Sequence, residues 1–291
     1  MRRLLYISLG HQPDDFYEEF KKHFEVSLYQ GVDHAIRFNP DHIHMHAGAI
    51  DFESLKMIGR DVGYDDYYSP TITQFTGDAG VEPLEPIFRC EGLIDITLLT
   101  ANDGRYSNVG RIEWMPEAIK ANQVNEIRQD VSRIVFIGNF YDHLPQGGVR
   151  LNLCQQLTRK YKQFEVYGCF PTESTNCNGS IPYEQSHKKY NDSYIGIAQD
   201  NFNIDGYFSH RYLGIMANTL CLGRRFKGAE RFFKDGENIV FWDTVDELLE
   251  KCDYYINHPS ERLRIAKNGQ ELVKNNYLYS HWVERYKKLV L

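Results

Sequence analysis

Residues 207–263 contain the stretch that decides the predicted fold. It begins with Y-F-S-H-R-Y-L-G-I-M-A-N (Tyr207–Asn218) and continues with R-F-K-G-A-E-R-F-F-K-D-G-E-N-I-V-F-W-D (Arg225–Asp243). The first piece has the apolar spacing of a helix that starts at its serine. The second piece passes through Gly-Ala-Glu and Lys-Asp-Gly-Glu-Asn turns into a short apolar strand, Ile239–Trp242. Val245–Asn257 follows as an amphipathic helix with its acidic residues first. The stretch therefore predicts helices that alternate with strands.

The same alternation runs through the rest of the chain. In the first half, apolar runs predict strands at Leu4–Leu9, Phe24–Tyr29, Pro40–His46, Thr71–Thr76 and Ile94–Thr100, with helices at Asp14–His23 and Asp51–Gly59. In the second half they predict strands at Arg133–Ile137, Phe164–Tyr167, Ser193–Ala198 and Leu220–Leu222, with helices at Gly148–Tyr161, Tyr183–Asn191, Ser209–Asn218 and Glu261–Asn275. Strands separated by helices indicate parallel sheets, so the predicted class is α/β.

A polar segment divides the two halves. Glu117–Gln129 has few apolar residues, and the strand–helix pattern restarts at Arg133. We therefore predict two Rossmann-like domains, residues 1–128 and 129–275, and a last helix within residues 276–291 that packs back toward the first domain. Ligands of open parallel sheets bind beyond the carboxyl ends of the strands, so we expect the two domains to face each other across a cleft.

Composition and charge narrow the function classes. The chain has 291 residues, of which 42% are hydrophobic, and a net charge of −7, which argues against a broad nucleic-acid surface. Six cysteines without C-x-x-C spacing indicate reduced thiols. The first apolar run is too short for a signal peptide, and no window approaches the roughly 18 apolar residues of a membrane span. We expect a cytoplasmic protein that does not cross a membrane.

Basic residues and glycines in the second half predict an anion site. The Arg211 guanidinium offers a fixed fork of donors to phosphate oxygens, and Ser209 either caps the same helix or contacts phosphate through its hydroxyl. Gly138 and Asn139 follow a strand, where they form either a tight turn or an approach of backbone N–H groups to phosphate. Arg150 opens the next helix and either adds charge to the site or is solvated. We expect a diphosphate here.

Histidines alternate in the strand that ends at His46. His42, His44 and His46 therefore point to one face, and an H-x-H strand can bind zinc. No Cys, Glu or further His lies nearby in sequence to complete such a site, so no metal is expected, and core packing is the alternative. His46 at the strand tip and His11 after the first strand are candidate cleft or acceptor contacts.

The chain resembles the GT-B glycosyltransferases, specifically the group related to spore-maturation glycosyltransferases with a "glycosyl transferases group 1" domain. The resemblance covers roughly residues 132–285. It is carried by S-H-R (209–211), I-M-A (215–217), K-G-A-E (227–230), D-G-E-N (235–238), D-E-L (246–248) and H-P-x-E-R (258–262), with softer similarity at P-D-H-I-H-M-H (40–46) and T-G-D (76–78). It implies transfer of a sugar from a nucleotide-diphosphate sugar.

Position in the sequence, and for Glu230 the resemblance, imply roles for single residues. Glu230 would accept hydrogen bonds from ribose, or complement a helix dipole, and Tyr183 would meet the nucleobase. Asp78, between two glycines after a strand, would deprotonate an acceptor hydroxyl or bind sugar hydroxyls, or act as a turn residue. Related retaining enzymes carry two glutamates where this chain has Gly206 and Gly214, so the stereochemistry stays open.

Several functions remain compatible with these residues. The first is a metal-independent glycosyltransferase with a UDP- or GDP-linked donor, supported by the absence of a D-x-D motif. Its acceptor would be a glycan, a protein, a small molecule or a modified base in nucleic acid. The negative net charge of the chain makes the last of these less favoured. The second is a non-catalytic nucleotide- or sugar-binding protein on the same scaffold. The third is a zinc hydrolase that uses His42, His44 and His46.

Overall fold

The chain divides into two compact units, which are described separately. A computed structural model describes residues 1–9, 14–61, 69–76, 90, 92–101, 111–171 and 175–291. The first unit comprises Met1–Glu117 together with Tyr279–Leu291, and the second comprises Ala118–Leu278. The sequence placed the boundary at residue 128 and the start of the last segment at residue 276. Among the helices of the described ranges, none is both long and apolar enough to cross a membrane.

The first unit is built on a parallel sheet. Within the described residues its six strands are β1 (Arg3–Ile7), β2 (Glu25–Leu28), β3 (His42–His46), β4 (Thr71–Thr76), β5 (Ile96–Leu99) and β6 (Arg111–Trp114), in the spatial order β2-β1-β3-β4-β5-β6. Every neighbouring pair is parallel. The central strands are buried on both faces, which explains their nearly continuous apolar sequences. The order changes direction between β1 and β3.

Helices cover both faces of this sheet. They are α1 (Asp15–Phe20), α2 (Val32–Phe38), α3 (Phe52–Lys56), which continues into a π-helical turn at Met57–Asp61, and α9 (Tyr279–Val290) at the end of the chain. Trp282 and Tyr286 of α9 pack against Phe16 and Phe20 of α1 and against the His44 ring. The last helix therefore completes the core of the first unit, because its large aromatic side chains would otherwise be exposed to water.

The second unit contains another parallel sheet. Its strands are β7 (Ile134–Ile137), β8 (Phe164–Tyr167), β9 (Ile195–Ala198), β10 (Leu220–Arg224) and β11 (Val240–Trp242), in the order β11-β10-β9-β7-β8. All neighbouring pairs are parallel. Its helices are α4 (Gly147–Lys160), α5 (Tyr183–Asn191), α6 (His210–Met216), α7 (Val245–Asn257) and α8 (Pro259–Asn276). The direction of strand order changes between β7 and β9.

The predicted α/β class with two Rossmann-like sheets is confirmed. Three local predictions differ from the structure. Helix α2 was not predicted, because its N-terminal cap is Gly31 without a side-chain cap. Strand β6 was not predicted either, because it is a short, partly exposed edge strand whose four residues have too weak an apolar pattern. The predicted helix Asp51–Gly59 is α-helical only to Lys56, beyond which the π-helical turn follows.

Candidate functional site

The candidate site lies in the second unit, where the strand order changes direction. Beyond the carboxyl end of β7 come Gly138 and Asn139, and beyond the end of β9 come Gln199 and Asp200. Ligands of doubly wound parallel sheets bind outside the carboxyl ends of the strands at this switch point. The two loops therefore meet at the position where such a fold holds its ligand.

A pocket of about 220 Å³ opens at this edge of the sheet. Its lining combines backbone at the ends of β7 and β8, the loop before α5, and exposed faces of α5 and α6. The lining residues are Ile119, Gln123, Ile137, Gly138, Asn139, Gly168, Ser180, Ile181, Tyr183, Ser186, His187, Tyr190, His210, Arg211 and Gly214. Four predicted donor-binding residues, Gly138, Asn139, Tyr183 and Arg211, thus line one pocket.

Arg211 is held in place by three oxygen atoms. Its Nε donates to the Ile137 carbonyl at 2.8 Å, and its Nη1 donates to the Gln199 carbonyl and to Asp200 Oδ1, both at 3.0 Å. Within the described part of the chain, Nη2 has no hydrogen-bond partner. A Cβ at Gly138 would lie 3.1 Å from Nη2, so a side chain there would crowd the guanidinium. The arginine is thus fixed on one edge and open on the other.

Asp200 organises the first turn of α6. Its carboxylate accepts hydrogen bonds from the Ser209 backbone N–H at 2.9 Å and from the Ser209 hydroxyl at 2.5 Å, and it pairs with Arg211. Ser209 is buried and lies outside the pocket lining. The serine therefore binds this carboxylate, while its predicted contact with phosphate stays a prediction. No sequence motif pointed to Asp200.

Arg150 lies beneath the pocket and is 1% exposed. Its Nη1 and Nη2 donate to the carbonyls of Asn139 and Gln199 at 2.5 and 2.6 Å, so it joins the two loops. Burial, followed by the nearby charge of Arg211, lowers the pKa of Arg150 to about 9, which leaves it protonated at neutral pH. Direct contact between Arg150 and a diphosphate remains a prediction.

Charges around the pocket do not balance. Arg150 and Arg211 carry two positive charges, and Asp200 is the carboxylate paired with Arg211. In a partly dehydrated setting, an excess of positive charge beside a guanidinium with an unused donor favours a bound anion. The arrangement can therefore hold phosphate oxygens.

Glycines let two loops approach closely beside these arginines. Gly168, which follows β8, has φ of +132°, and a Cβ there would lie 1.9 Å from the Gly138 carbonyl oxygen. The Asn139 side chain fixes the same contact, because its Oδ1 accepts from the Cys169 N–H at 3.0 Å. A larger residue at position 168 would push the β7 loop away from Arg211.

The outer part of the pocket is aromatic. Tyr183, 38% exposed, contacts the edge of His210 with ring centroids 4.9 Å apart. His187 also lines the pocket, and its buried Nδ1 has no hydrogen-bond partner among the residues that the structure describes. Gly214 lines the pocket from α6. These residues give the outer part of the pocket aromatic surface together with polar groups.

Glu230 lies outside this pocket lining. It belongs to a surface ion-pair cluster in which Arg225 binds Glu230 at 2.7 Å, Asp235 at 2.8 Å and Asp243 at 3.3 Å. Hydrogen bonding to its own backbone and to Arg225 lowers the pKa of Glu230. The structure therefore does not bring Glu230 together with Arg211, and its predicted contact with ribose stays a prediction.

The first unit has a polar cluster of its own. His46 Nε2 lies 2.9 Å from the Tyr6 hydroxyl and 3.2 Å from Asp14 Oδ2, and the Tyr6 hydroxyl donates to Asp14 at 2.7 Å. Two other predicted site residues, His11 and Asp78, lie outside the described residues.

The histidines of β3 lie on one face, as their alternation predicted. His44 is fully buried and bonds Thr73 Oγ1 through Nδ1 at 2.9 Å, while His42 is buried beside Phe24. Burial, and then the charge of His46, lowers the pKa of His44 to about 3. Across the described ranges, no group of three His, Cys, Asp or Glu side chains could hold a metal ion. Within those ranges, the histidines of β3 therefore have no further side chain beside them that could complete the zinc site of a hydrolase.

Comparisons with known proteins agree with this arrangement. A family model described as "Glycosyl transferase-like" matches residues 150–288, which include most of α4, all of α6 and Arg211. Residues 150–288 belong to this glycosyltransferase family, and the chain has the GT-B fold. The predicted family is thereby confirmed, and the family match favours an enzyme over a non-catalytic binding protein. No functionally curated protein matches the sequence.

Solved GT-B structures share the fold of this chain over 89% or more of its length. Sucrose-phosphate synthase from Thermosynechococcus elongatus has a TM-score of 0.70 and 10% identity, with 99% of this chain and 98% of that chain covered. HepE of Anabaena in complex with UDP-glucose has a TM-score of 0.68 and 9% identity, with 100% and 99% covered. TarM of S. aureus has a TM-score of 0.62 and 12% identity over 89% of this chain, which spans 57% of TarM.

Proposed function

We propose that this glycosyltransferase uses a nucleotide-diphosphate sugar as donor and binds the diphosphate at the Arg211 pocket. One observation carries the proposal: Arg211 is fixed by Ile137, Gln199 and Asp200, yet keeps Nη2 without a partner among the described residues beside Gly138. A guanidinium that is already oriented loses little conformational freedom when it binds phosphate oxygens.

The reaction is displacement at the anomeric carbon of the donor sugar. Oxygen of an acceptor hydroxyl forms the new bond to that carbon, and the nucleoside diphosphate leaves with the electron pair of the broken bond. Negative charge grows on the diphosphate as the bond breaks, and Arg211, backed by the buried charge of Arg150, stabilises it. The backbone N–H of Asn139 would add a further dipole, whereas the Gly138 N–H already donates to the Tyr167 carbonyl at 3.0 Å. Asp78 would contact the sugar or the acceptor.

The nucleobase would lie in the aromatic part of the pocket. Tyr183 offers an exposed ring, and Ser180, Ile181 and His187 border the same space. The UDP-glucose complex of HepE, which has the same fold, supports a UDP-linked donor over a GDP-linked one. Such a slot would bind the base by ring contacts and by a few hydrogen bonds.

Transfer would proceed without a divalent cation. Two guanidinium groups can supply the charge that Mg²⁺ or Mn²⁺ gives to a diphosphate in other enzymes, and the sequence contains no D-x-D motif. Chelation tests this point directly. Turnover that is unchanged after treatment with EDTA supports it, and turnover that is lost with EDTA and restored by Mg²⁺ or Mn²⁺ contradicts it.

The acceptor would bind to the first unit. A glycan, a protein or a small molecule with a free hydroxyl fits this chemistry, and the net charge of −7 disfavours nucleic acid. A cytoplasmic location would give access to nucleotide sugars.

A donor screen tests the proposal as a whole. Calorimetry with UDP, GDP, ADP and CMP should show saturable binding of one nucleoside diphosphate, and mass spectrometry should show consumption of the matching nucleotide sugar. Absence of binding for every nucleotide, in protein shown to be folded, would contradict the proposed function.

A further inference from the structure

Tyr190 is a nearly buried phenol in the lining of the second unit's pocket. It belongs to α5, where Tyr183, His187 and Tyr190 follow one another at spacings of four and three residues and therefore share one face of the helix. All three line the pocket. Tyr190 is only 4% exposed, so the small surface that it keeps lies in this lining. Its side chain thus reaches the space where the donor would bind.

The hydroxyl of Tyr190 has unused hydrogen-bonding capacity. Within the described part of the chain it has no hydrogen-bond partner, although burial of a hydroxyl costs free energy unless a hydrogen bond replaces water. Two other buried tyrosines of the same unit are paired. The Tyr212 hydroxyl donates to the Arg224 carbonyl at 2.7 Å, and the Tyr194 hydroxyl accepts from Gln163 Nε2 at 3.0 Å. A ligand in the pocket can supply the partner for Tyr190.

Gly214 leaves room for the Tyr190 ring. A Cβ at position 214 would lie 3.3 Å from Tyr190 Cε2, closer than side-chain carbons normally approach. Gly214 and Arg211 are three residues apart on α6 and so share one face of that helix. The phenol of Tyr190 therefore packs against the helix face that also carries the arginine of the pocket.

Tyr190 lies within electrostatic reach of both ends of the proposed donor site. Burial raises its pKa, so the phenol is neutral at physiological pH. After burial, the neighbours that act on this pKa most are Arg211, which lowers it, and Tyr183, which raises it. The first is assigned to the diphosphate and the second to the nucleobase. Ribose joins these two parts of a nucleotide, and a neutral phenol can both donate to and accept from a ribose hydroxyl.

We propose that the Tyr190 hydroxyl binds a hydroxyl group of the donor's ribose and selects ribonucleoside-diphosphate sugars over deoxyribonucleoside-diphosphate sugars. This inference rests on the proposed function and names its class of donor. A nucleotide without that hydroxyl would fill the pocket but leave Tyr190 without its hydrogen bond at a nearly buried position. A site that pairs a substrate hydroxyl discriminates against an analogue that lacks it for this reason.

Calorimetry tests the inference with the nucleotide that the wild type binds, UDP or GDP, and with its own 2′-deoxy and 3′-deoxy forms. The wild type should bind the ribonucleotide about tenfold more tightly than the form that lacks the contacted hydroxyl. Tyr190→Phe keeps the ring and removes only the oxygen, so it should bind both with the same, lower affinity. Its Tm without nucleotide should equal that of the wild type, because no hydrogen bond within the described protein is lost.

Tyr194→Phe is the matched control. Tyr194 belongs to the same unit and is 6% exposed, but it bonds Gln163 and lies outside the lining of the pocket. This variant also removes one nearly buried phenolic oxygen. It should keep the tenfold preference for the ribonucleotide.

The outcomes separate this inference from the proposed function. Equal affinity of the wild type for the ribonucleotide and both deoxy forms overturns the role of Tyr190 alone. A preference that survives in Tyr190→Phe, or a lower Tm of that variant without nucleotide, does the same. Wild-type protein that is folded but binds neither UDP nor GDP overturns the proposed function, and the role of Tyr190 with it.

Discussion

Asp200 and Arg211 form an ion pair beneath the pocket of the second unit. Arg211 Nη1 lies 3.0 Å from Asp200 Oδ1, and the two side chains are only 16% and 8% exposed. Asp200 also accepts two hydrogen bonds from Ser209, so one carboxylate joins the end of β9 to the start of α6. This contact sets the direction of the guanidinium and hence the position of the donor's diphosphate.

Removal of the Asp200 charge should destabilise the protein. Asp200→Asn leaves Arg211 and Arg150 close together without a compensating carboxylate, and loss of one partner of a buried pair costs about 3 kcal/mol. Urea denaturation measures the change in the free energy of unfolding. Asp130→Asn breaks the exposed pair with Arg128 and should cost less than about 1 kcal/mol. Equal losses in the two variants would mean that the buried pair does not fix this loop.

A methyl group at position 138 should weaken nucleotide binding. In Gly138→Ala the new Cβ would lie 3.1 Å from Arg211 Nη2 and 3.2 Å from the Phe136 ring, so the guanidinium must shift. We expect UDP affinity to fall about tenfold by calorimetry, equivalent to about 1.4 kcal/mol. Gly148→Ala is the control, since a Cβ there meets nothing within 4 Å. It should leave affinity unchanged, and equal affinity in both variants would refute this role for Gly138.

Helix α4 shows what could have been predicted from sequence. Arg150 was expected either to add charge to the diphosphate site or to be solvated, and the second alternative is wrong, because Arg150 is buried. It shares a helical stripe with Leu153, Cys154 and Leu157, at spacings of three, four and seven residues. That spacing already indicates that Arg150 is buried. Its guanidinium then affects the pocket indirectly, through the backbone carbonyls that it binds. The apolar runs of β7 to β11 likewise predicted the second sheet, because parallel strands are buried on both faces.

Asp200 shows what could not be predicted. It stands in the polar loop A-Q-D-N-F-N-I-D, where no local pattern separates it from Asp205. Asp205 pairs with Arg231 at the surface, whereas Asp200 turns inward to Ser209. The difference arises from how the loop returns to α6, which is a property of the tertiary fold. Asp14 is similar, because the sequence predicts a helix that begins there but not the contact of Asp14 with His46.

Acid should destabilise the first unit through His44. Its pKa is about 3 in the folded state and 6.5 when unfolded, so the unfolded chain binds more protons below pH 6.5. The contribution of His44 to the free energy of unfolding is then fully present above pH 6.5 and is lost progressively as the pH falls toward 3. At pH 5 we expect a loss of about 2 kcal/mol relative to pH 7 from this group.

Urea titrations at pH 7 and pH 5 check this prediction. His44→Gln should show a smaller difference between the two pH values than the wild type, and His143→Gln, at the surface, should behave as the wild type does. The lowered pKa of Asp14 acts below pH 3.8 and does not contribute in this window. A His44→Gln variant with the full acid sensitivity of the wild type would contradict the account.

The last helix should be essential for the stability of the first unit. Trp282 is 1% exposed and contacts Phe16, Phe20 and Phe75, so Trp282→Ala removes a large buried ring. We expect a loss of about 3–5 kcal/mol in the free energy of unfolding. Tyr254→Ala, which removes a 44% exposed ring, should cost much less. Similar losses of unfolding free energy in Trp282→Ala and Tyr254→Ala would show that α9 is not part of the core.

Calorimetric titration of UDP and GDP into the wild type and Arg211→Lys tests the central claim most directly. Lysine keeps the charge but cannot bond Ile137, Gln199 and Asp200 while offering another donor to phosphate. The account predicts that the bound nucleotide has a Kd about 30-fold higher in Arg211→Lys, and that Arg128→Lys, at the surface, leaves the Kd unchanged. Equal affinity in folded wild type and Arg211→Lys would contradict the assignment of this pocket to the donor diphosphate.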